Sequence, residues 1–275
     1  MTEFKQTTLA SLPIVRSITN KLGGGTKKSF GQNFLINQNV LLKFIDTLDI
    51  TKNDTVIEIG PGIGVLTYTL CQKAKKVYLI EIDREKESAL NKVLENYDNY
   101  EIIWADATDF DFSKQFANIK DILIIGSLPY NVGKKIIYNL FNSEIDWKKA
   151  SFILQKEVAK NYISKTPHAD FLSIFASLYS ISKYEFSINR KSFYPIPKVD
   201  SATISFTRIE KTENAQSLSK FIKSGFQSPR KTILNNLKTL GFTAEKISSI
   251  GIEPRKRPSE LSKEDWINLY KLLLQ

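Results

Sequence analysis

The chain has 275 residues, 42% of them apolar, and a formal charge of +10. That length exceeds one ordinary core and predicts a large domain with a small one, and the apolar share is ample to fill both. A single cysteine, Cys71, excludes an internal disulfide and reads as a small core residue. A single histidine, His168, lies in the polar stretch Lys165–Asp170 and reads as a surface-loop residue; it excludes a histidine metal cluster, so no metal is expected. No apolar run approaches the roughly 20 residues of a membrane span, and no signal-peptide pattern is present. The expectation is a cytoplasmic protein without a membrane partner, for which nothing demands more than a monomer.

The charge is segregated. Residues 1–28 carry five basic and one acidic side chain, residues 208–275 carry thirteen and seven, and the middle balances at 21 of each. A neutral body with basic ends reads as the footprint of a polyanion binder, so RNA or DNA is the expected partner.

In chain order, residues 1–25, closing on Gly23-Gly24-Gly25, read as a flexible basic arm. Lys27-Lys-Ser-Phe-Gly-Gln-Asn-Phe-Leu35 then leads into an amphipathic helix through Val40, Leu41, Phe44, Ile45 and Leu48, capped by Asn37. The stretch Thr55-Val-Ile-Glu-Ile-Gly-Pro-Gly-Ile-Gly-Val-Leu-Thr67 compresses a buried strand, a glycine turn and a helix start into thirteen residues. Val56, Ile57 and Ile59 supply the β-branched run of a covered parallel strand, and a ligand belongs at its carboxyl end, where Gly60, Gly62 and Gly64 let backbone approach closely. A dinucleotide fingerprint requires G-x-G-x-x-G; here the third glycine is Gly64, Val65 follows it, and Pro61 deletes a loop N–H donor. These departures disfavour a dinucleotide oxidoreductase and suit a ligand without phosphate. S-adenosylmethionine is such a ligand.

Two further strands end in acids. Lys76-Val-Tyr-Leu-Ile-Glu-Ile-Asp83 places Glu81 about 20 residues after the turn, where a carboxylate can accept both ribose hydroxyls. Ile102-Ile-Trp-Ala-Asp-Ala107 ends on Asp106, which can accept from an adenine amino group or serve as an ordinary turn aspartate. Asn33 and the Leu35 backbone, just ahead of these strands, are placed to reach the methionine end of the cofactor.

A fourth strand, Asp121–Gly126, runs into Ser127-Leu-Pro-Tyr-Asn131. An exocyclic adenine nitrogen is a weak nucleophile because its lone pair is delocalised into the ring. An enzyme must therefore hold its N–H hydrogens with acceptors and aim the lone pair at the methyl donor. The Ser127 oxygen and a carbonyl of the Leu128-Pro129 turn are candidate acceptors, and Tyr130 offers a face for a flipped base. Phe193, in the proline-stiffened loop Phe193–Lys198, reads either as a second aromatic for that base or as a buried loop anchor.

After a last strand, Val199–Phe206, the pattern becomes helical. Leu218, Phe221, Ile222 and Phe226 form one stripe; Ser228-Pro229 are expected to start a second helix through Ile233, Leu234, Leu237 and Leu240, ended by Gly241; Thr243 and the box Ser262–Asp265 open two more. Arg230, Lys231, Lys238, Arg255, Lys256 and Arg257 would give this helical region contacts to RNA phosphates.

The pattern E-x-G-x-G-x-G resembles motif I of the class I methyltransferases, and the later blocks narrow the resemblance. Phe30-Gly-Gln-Asn-Phe-Leu35, Glu58–Gly62, Ile80–Asp83, Asp106-Ala107, Leu128-Pro-Tyr-Asn131, Leu154-Gln-Lys-Glu-Val158, Phe193-Tyr-Pro-Ile-Pro-Lys-Val-Asp-Ser201 and Phe226-Gln-Ser-Pro-Arg-Lys-Thr-Ile233 run in order along the chain. Together they are similar to the small-subunit (16S-type) ribosomal RNA adenine N6-dimethyltransferases, whose fold is shared with the erythromycin-resistance methyltransferases and mitochondrial transcription factor B. The resemblance implies a Rossmann-like α/β domain with a mostly parallel seven-stranded sheet over residues 26–208, and a small all-α RNA-docking domain over 209–275. It implies cofactor contacts at Asn33, Leu35, Gly60, Glu81, Asp106 and Ser127, and target-base contacts at Ser127, Leu128, Pro129, Tyr130 and Phe193. The implied reaction dimethylates N6 of two adjacent adenines near the 3′ end of small-subunit ribosomal RNA, with the RNA or a 30S assembly intermediate as partner.

Two positions depart from the family pattern. Ser127 stands where asparagine usually opens the N-L-P-Y motif; it keeps an oxygen acceptor on a shorter arm and lacks the amide donor. Retained but slower activity is the expectation, and an impaired copy acting as an RNA-binding ribosome-assembly or transcription factor is the alternative. Asp170-Phe-Leu-Ser173 replaces the family's Y-G-R-L-S block.

Overall fold

A computed structural model describes residues 9–21 and 31–274. Met1–Thr8, the Gly23–Gly25 run, Lys27, Lys28 and Phe30, all of which enter the sequence expectations, lie outside these residues. Among the described residues nine strands follow one another: β1 Phe34–Leu35, β2 Thr55–Ile59, β3 Lys76–Glu81, β4 Tyr100–Trp104, β5 Ile122–Ser127, β6 Trp147–Gln155, β7 Ser180–Ile188, β8 Phe193–Tyr194 and β9 Ser201–Arg208. Seven of them form one sheet in the order β4-β3-β2-β5-β6-β9-β7, while β1 and β8 pair separately and antiparallel.

The pairings β2 with β3, β3 with β4, β2 with β5 and β5 with β6 are all parallel. Their residues explain why. Val56, Ile57, Val77, Leu79, Leu123, Ile124 and Ile125 are buried along these strands, as expected of strands covered on both faces. From β2 the chain steps outward to β3 and β4, then returns to the other side of β2 as β5. That reversal opens a crevice beyond the carboxyl ends of β2 and β5, the position where open α/β sheets bind ligands. Gly126 is required there: a Cβ on it would sit 2.6 Å from the Ile59 carbonyl oxygen.

By its contacts the chain divides into a unit of residues 1–156 with 184–206 and a unit of 157–183 with 207–275. The first holds the parallel strands and both members of the small β1–β8 sheet. In the second, the helix Ala215–Gly225 buries Leu218, Phe221 and Ile222, the helix Lys263–Leu273 buries Trp266 and Leu269, and Phe226 stacks on Trp266 at a 5.4 Å centroid distance. Ser262 and Asp265 form the capping box expected of them, and Thr243 caps Ala244–Ser249. Among the described residues no helix is long and apolar enough to cross a membrane.

Three local features qualify the sequence reading. Within the stretch read as a flexible arm, Leu12–Lys21 is a helix whose Val15, Ile18 and Thr19 are buried, and its Arg16 guanidinium lies 5.1 Å from the centre of the Tyr194 ring. Val15 and Ile18 are fully buried and Ile14 packs beside them, a short stripe that the glycine run and the basic residues around it mask in the sequence. Secondly, the helix after the Ser228-Pro229 dipeptide begins later, at Ile233, with Thr232 accepting from the Asn235 amide. The Asn236 side chain takes up the Ser228 backbone on both sides, at 3.0 Å to its amide and 3.1 Å to its carbonyl, and holds Ser228 in a turn. Thirdly, Asp170 caps Phe171–Ser177 in a reciprocal box with Ser173, so the departing D-F-L-S block is a helix start. His168 is exposed and Cys71 is buried, in line with expectation.

Candidate active site

Each functional side chain comes from the end of a strand or from a loop that a strand feeds. The carboxyl ends of β2, β3 and β5, the turn after β4, the 31–35 segment and β8 surround one cavity of about 420 Å³. Asn33, Leu35, Gly60, Glu81, Asp106 and Ser127 all line it, as do Leu128, Pro129, Tyr130 and Phe193. The residues expected to hold a cofactor and those expected to hold a base therefore share one chamber. β1 pairs with β8 through Phe34 with Tyr194 and Leu35 with Phe193, and this brings Phe193 to the loop that carries Asn33.

The three glycine amides of the turn are all engaged. The Gly60 amide donates to the Ile80 carbonyl at 2.9 Å, the Gly64 amide to the Pro61 carbonyl at 3.0 Å, and the Gly62 amide to Glu81 Oε2 at 2.9 Å. Pro61 has no amide proton. A phosphate-binding loop must aim free N–H groups at its ligand, and these three glycine amides are spent inside the protein. Gly62, at φ +57°, also lies against Phe34, so that a Cβ would meet the ring at 2.9 Å. What the turn offers instead is a bare wall against which a neutral or cationic ligand can lie.

Two carboxyl groups flank that wall. Glu81 accepts from the Gly62 amide and, through Oε1, from the Asp83 amide at 2.8 Å; its carboxyl is raised from the ordinary range, chiefly by burial, against the lowering effect of those two amides. One hydrogen bond on each oxygen orients the carboxylate and leaves a lone pair on each for a diol. Glu58, on β2, is also buried against the cavity; burial pushes its carboxyl up to about 8, and Oε2 has no hydrogen-bond partner among the described residues. Asp106 is exposed and accepts from the Thr108 amide at 2.8 Å, so the turn role and a ligand-facing position coexist. Ile82 lines the same cavity with 46% of its surface exposed, an apolar side chain that a flat ligand would cover. This donor and acceptor set, with carboxylates and apolar faces and with the glycine amides of the 60–64 turn engaged, fits S-adenosylmethionine.

At the other end of the cavity the Pro129 carbonyl accepts from Val132 at 3.2 Å and Gly133 at 2.9 Å, which starts the next helix and fixes the turn. The Tyr130 hydroxyl is bonded to Ser201 Oγ, and its phenol is raised chiefly by burial, so the ring is anchored at its far edge. Ser201 closes the F-x-P-x-P-K-V-D-S block. Asp200 in the same block accepts from the Arg190 amide at 2.9 Å, and its carbonyl accepts from the Lys156 amide at 3.0 Å. Phe193 is 1% exposed, and yet it lines the cavity.

The basic residues lie in the other unit. Arg230, Lys231, Lys238, Arg255 and Arg257 are exposed and Lys256 is half-buried. The Ile233 amide donates to the Lys256 carbonyl at 2.6 Å and the Leu234 amide to the Pro254 carbonyl at 3.3 Å, which gathers the run Arg255–Arg257 beside Arg230 and Lys231.

Sequence reasoning missed Glu58, Gln32 and Ile82 as lining residues. Glu58 carried a signal, a lone acid inside an apolar strand, and so did Ile82 between two acids.

The model of the family described as ribosomal RNA adenine dimethylase matches residues 24–275 of the chain. A ribosomal RNA small subunit methyltransferase A of Mesoplasma florum is 38% identical over 260 residues, covering 89% of this chain and 97% of its own. One from Clostridium botulinum is 34% identical over 261 residues, covering 91% and 95%. The crystal structure of a dimethyladenosine transferase from Plasmodium falciparum superposes with a TM-score of 0.69 at 26% identity, covering 86% of this chain and 95% of its own. A glycine turn whose glycine amides are engaged, acids at three successive strand ends and matches over nearly the whole length agree, and the chain belongs to the ribosomal RNA adenine dimethylase family.

Proposed function

We propose that this cavity binds S-adenosylmethionine and an extruded adenine side by side and that the chain dimethylates N6 of two adjacent adenines near the 3′ end of small-subunit ribosomal RNA. The observation that carries the reading is the single chamber shared by Glu81 and Asp106 at one end and by the 127–130 turn and Phe193 at the other. The names of the relatives, ribosomal RNA small subunit methyltransferase A and dimethyladenosine transferase, support the same reaction.

The roles follow from chemistry. Glu81 accepts from the ribose hydroxyls, Asp106 from the adenine amino group of the cofactor, and Asn33 with the Leu35 backbone holds the methionine end along the bare glycine wall. When bound, S-adenosylmethionine supplies an electrophilic methyl on a sulfonium. The Ser127 oxygen and the Leu128 carbonyl accept the two N–H hydrogens of the target amine and aim its lone pair; the Pro129 carbonyl is already engaged by two amides. Tyr130 and Phe193 cover the two faces of the base. Positioning of this kind supplies most of the acceleration, and the proton that N6 gives up on methylation is released to water. The basic residues around Arg230 and Arg255–Arg257 dock the RNA through its phosphates. We further propose that the protein acts in the cytoplasm as a monomer, on RNA held in a 30S assembly intermediate.

A second reading rests on Ser127, whose arm is one carbon shorter than that of asparagine. If the oxygen falls short of the amine, the chain is an RNA-binding factor without transfer. Radiolabelled methyl transfer to unmethylated small subunits, with mass spectrometry of the digested RNA, separates the two. Dimethyladenosine from the unmodified chain establishes the enzyme; product from Ser127→Asn alone assigns the chain to binding.

A further inference from the structure

Behind the cavity wall lies a buried ion pair that neither the cofactor nor the base would touch. Lys86 is 0% exposed and Asp83 3%, and Lys86 Nζ stands 3.3 Å from Asp83 Oδ2. Neither lines the cavity. The same Asp83 Oδ2 accepts from Gln32 Nε2 at 3.2 Å, across fifty-one residues of sequence, and the Asp83 amide donates to Glu81 Oε1 at 2.8 Å. Lys86 Nζ also lies 5.7 Å from the centre of the Phe34 ring, the ring against which Gly62 is pressed.

A buried ion pair is a poor investment for folding alone, because desolvating two charges offsets most of their attraction and an apolar pair of like volume is commonly as stable. What a pair of this kind supplies is geometry. Here it is connected on one side to the carboxylate at the end of β3 and on the other to the 31–35 segment, the two parts of the cavity wall that come from different places in the chain. Through β1 and β8 the second part continues to Phe193.

We propose that Lys86 and Asp83 are positioning residues that, through Gln32, lock the 31–35 segment to Glu81 at the spacing the cofactor spans, so that the binding wall is set before the ligand arrives. The proposal rests on reading the cavity as the S-adenosylmethionine site. Preorganisation of this sort improves binding by removing the cost of ordering the segment on arrival.

The test is calorimetric binding of S-adenosylhomocysteine to the full chain, paired with thermal unfolding. Absence of binding by the unmodified chain would overturn the site reading itself, and with it this proposal. Given binding, Asp83→Leu/Lys86→Met, which exchanges the ion pair for apolar groups, is expected to bind about tenfold more weakly while its unfolding temperature is kept or raised. Gln32→Met, which removes only the donor, is expected to weaken binding by a similar factor without changing the unfolding temperature. In the Asp83→Leu/Lys86→Met background, Gln32→Met should cost nothing more, because Gln32 acts through Asp83. Undiminished binding by either Gln32→Met or the double variant overturns the proposal. So does additivity of the two effects, which would mean that Gln32 touches the ligand by itself.

Discussion

Glu58 holds a proton at neutral pH in the folded chain, because burial pushes its carboxyl from 4.5 up to about 8. Unfolded, the same group releases that proton near the ordinary carboxylate value, so folding binds a proton between the two. A group raised in this way contributes stability that is fully present below about 4.5 and is lost as pH rises through about 8. The ligand-free protein should therefore lose about 2 kcal/mol from this group between pH 6 and pH 8. Glu58→Gln should flatten that part of a stability profile measured by chemical denaturation; an unchanged slope would remove Glu58 from the account. Gly126→Ala makes a second prediction. Its Cβ would press on the Ile59 carbonyl, a backbone atom that cannot swing aside, and a loss of about 2 kcal/mol in urea midpoint analysis is expected. At this scale legibility followed chemistry at chain landmarks. Glu81, Asp106 and the 127–130 turn were readable because each polar group stands at the end of an apolar run. Lys86 was not, since a lysine in a charged stretch reads as solvated, and the Phe34 ring that it lies against is distant in sequence.

The parallel strands were legible as β-branched runs, and so were the helices opened by Asn37, Thr243 and Ser262, whose side chains accept from the first-turn amides as expected. The Leu12–Lys21 helix and the start at Thr232 were not. In the first, a helix of only ten residues with the apolar stripe Ile14, Val15 and Ile18 stands beside a basic, glycine-ended stretch; in the second, a serine-proline pair gave the stronger local signal, and the Asn236 side chain, eight residues on, overrode it. A comparison of two substitutions checks this assignment. Thr232→Ala should cost about 1 kcal/mol as a lost cap, whereas Ser228→Ala should cost a few tenths at most. Equal losses in thermal unfolding would restore Ser228 as the helix start.

Over the whole molecule, the +6 of residues 208–275 includes a grouped set of arginines and lysines in the helical unit, all exposed but the half-buried Lys256 and remote in sequence from the strands that line the cavity. If that group grips phosphates, replacing Arg255, Lys256 and Arg257 by glutamine should weaken RNA binding at every sequence and lower the salt slope of log K by about one per lost contact. In methyl-transfer assays the KM for RNA should rise while kcat stays near its unmodified value. A fall in kcat with unchanged KM would place these residues in the chemistry instead.

The sheet order also has a consequence for how the protein is made. Among the described residues β9 is the last strand to be synthesised and lies between β6 and β7, and β1 is paired with β8. A polypeptide leaving a ribosome amino end first therefore carries β6 and β7 without the strand between them until about residue 208 has emerged, and β1 waits for β8, a non-local pairing of the kind that forms slowly. The cavity wall at Phe193 is completed over the same interval. Acquisition of methyl-transfer competence is thus deferred to the final quarter of translation, so that a product interrupted earlier would lack both the completed sheet and the basic residues from Arg230 onward with which to occupy ribosomal RNA.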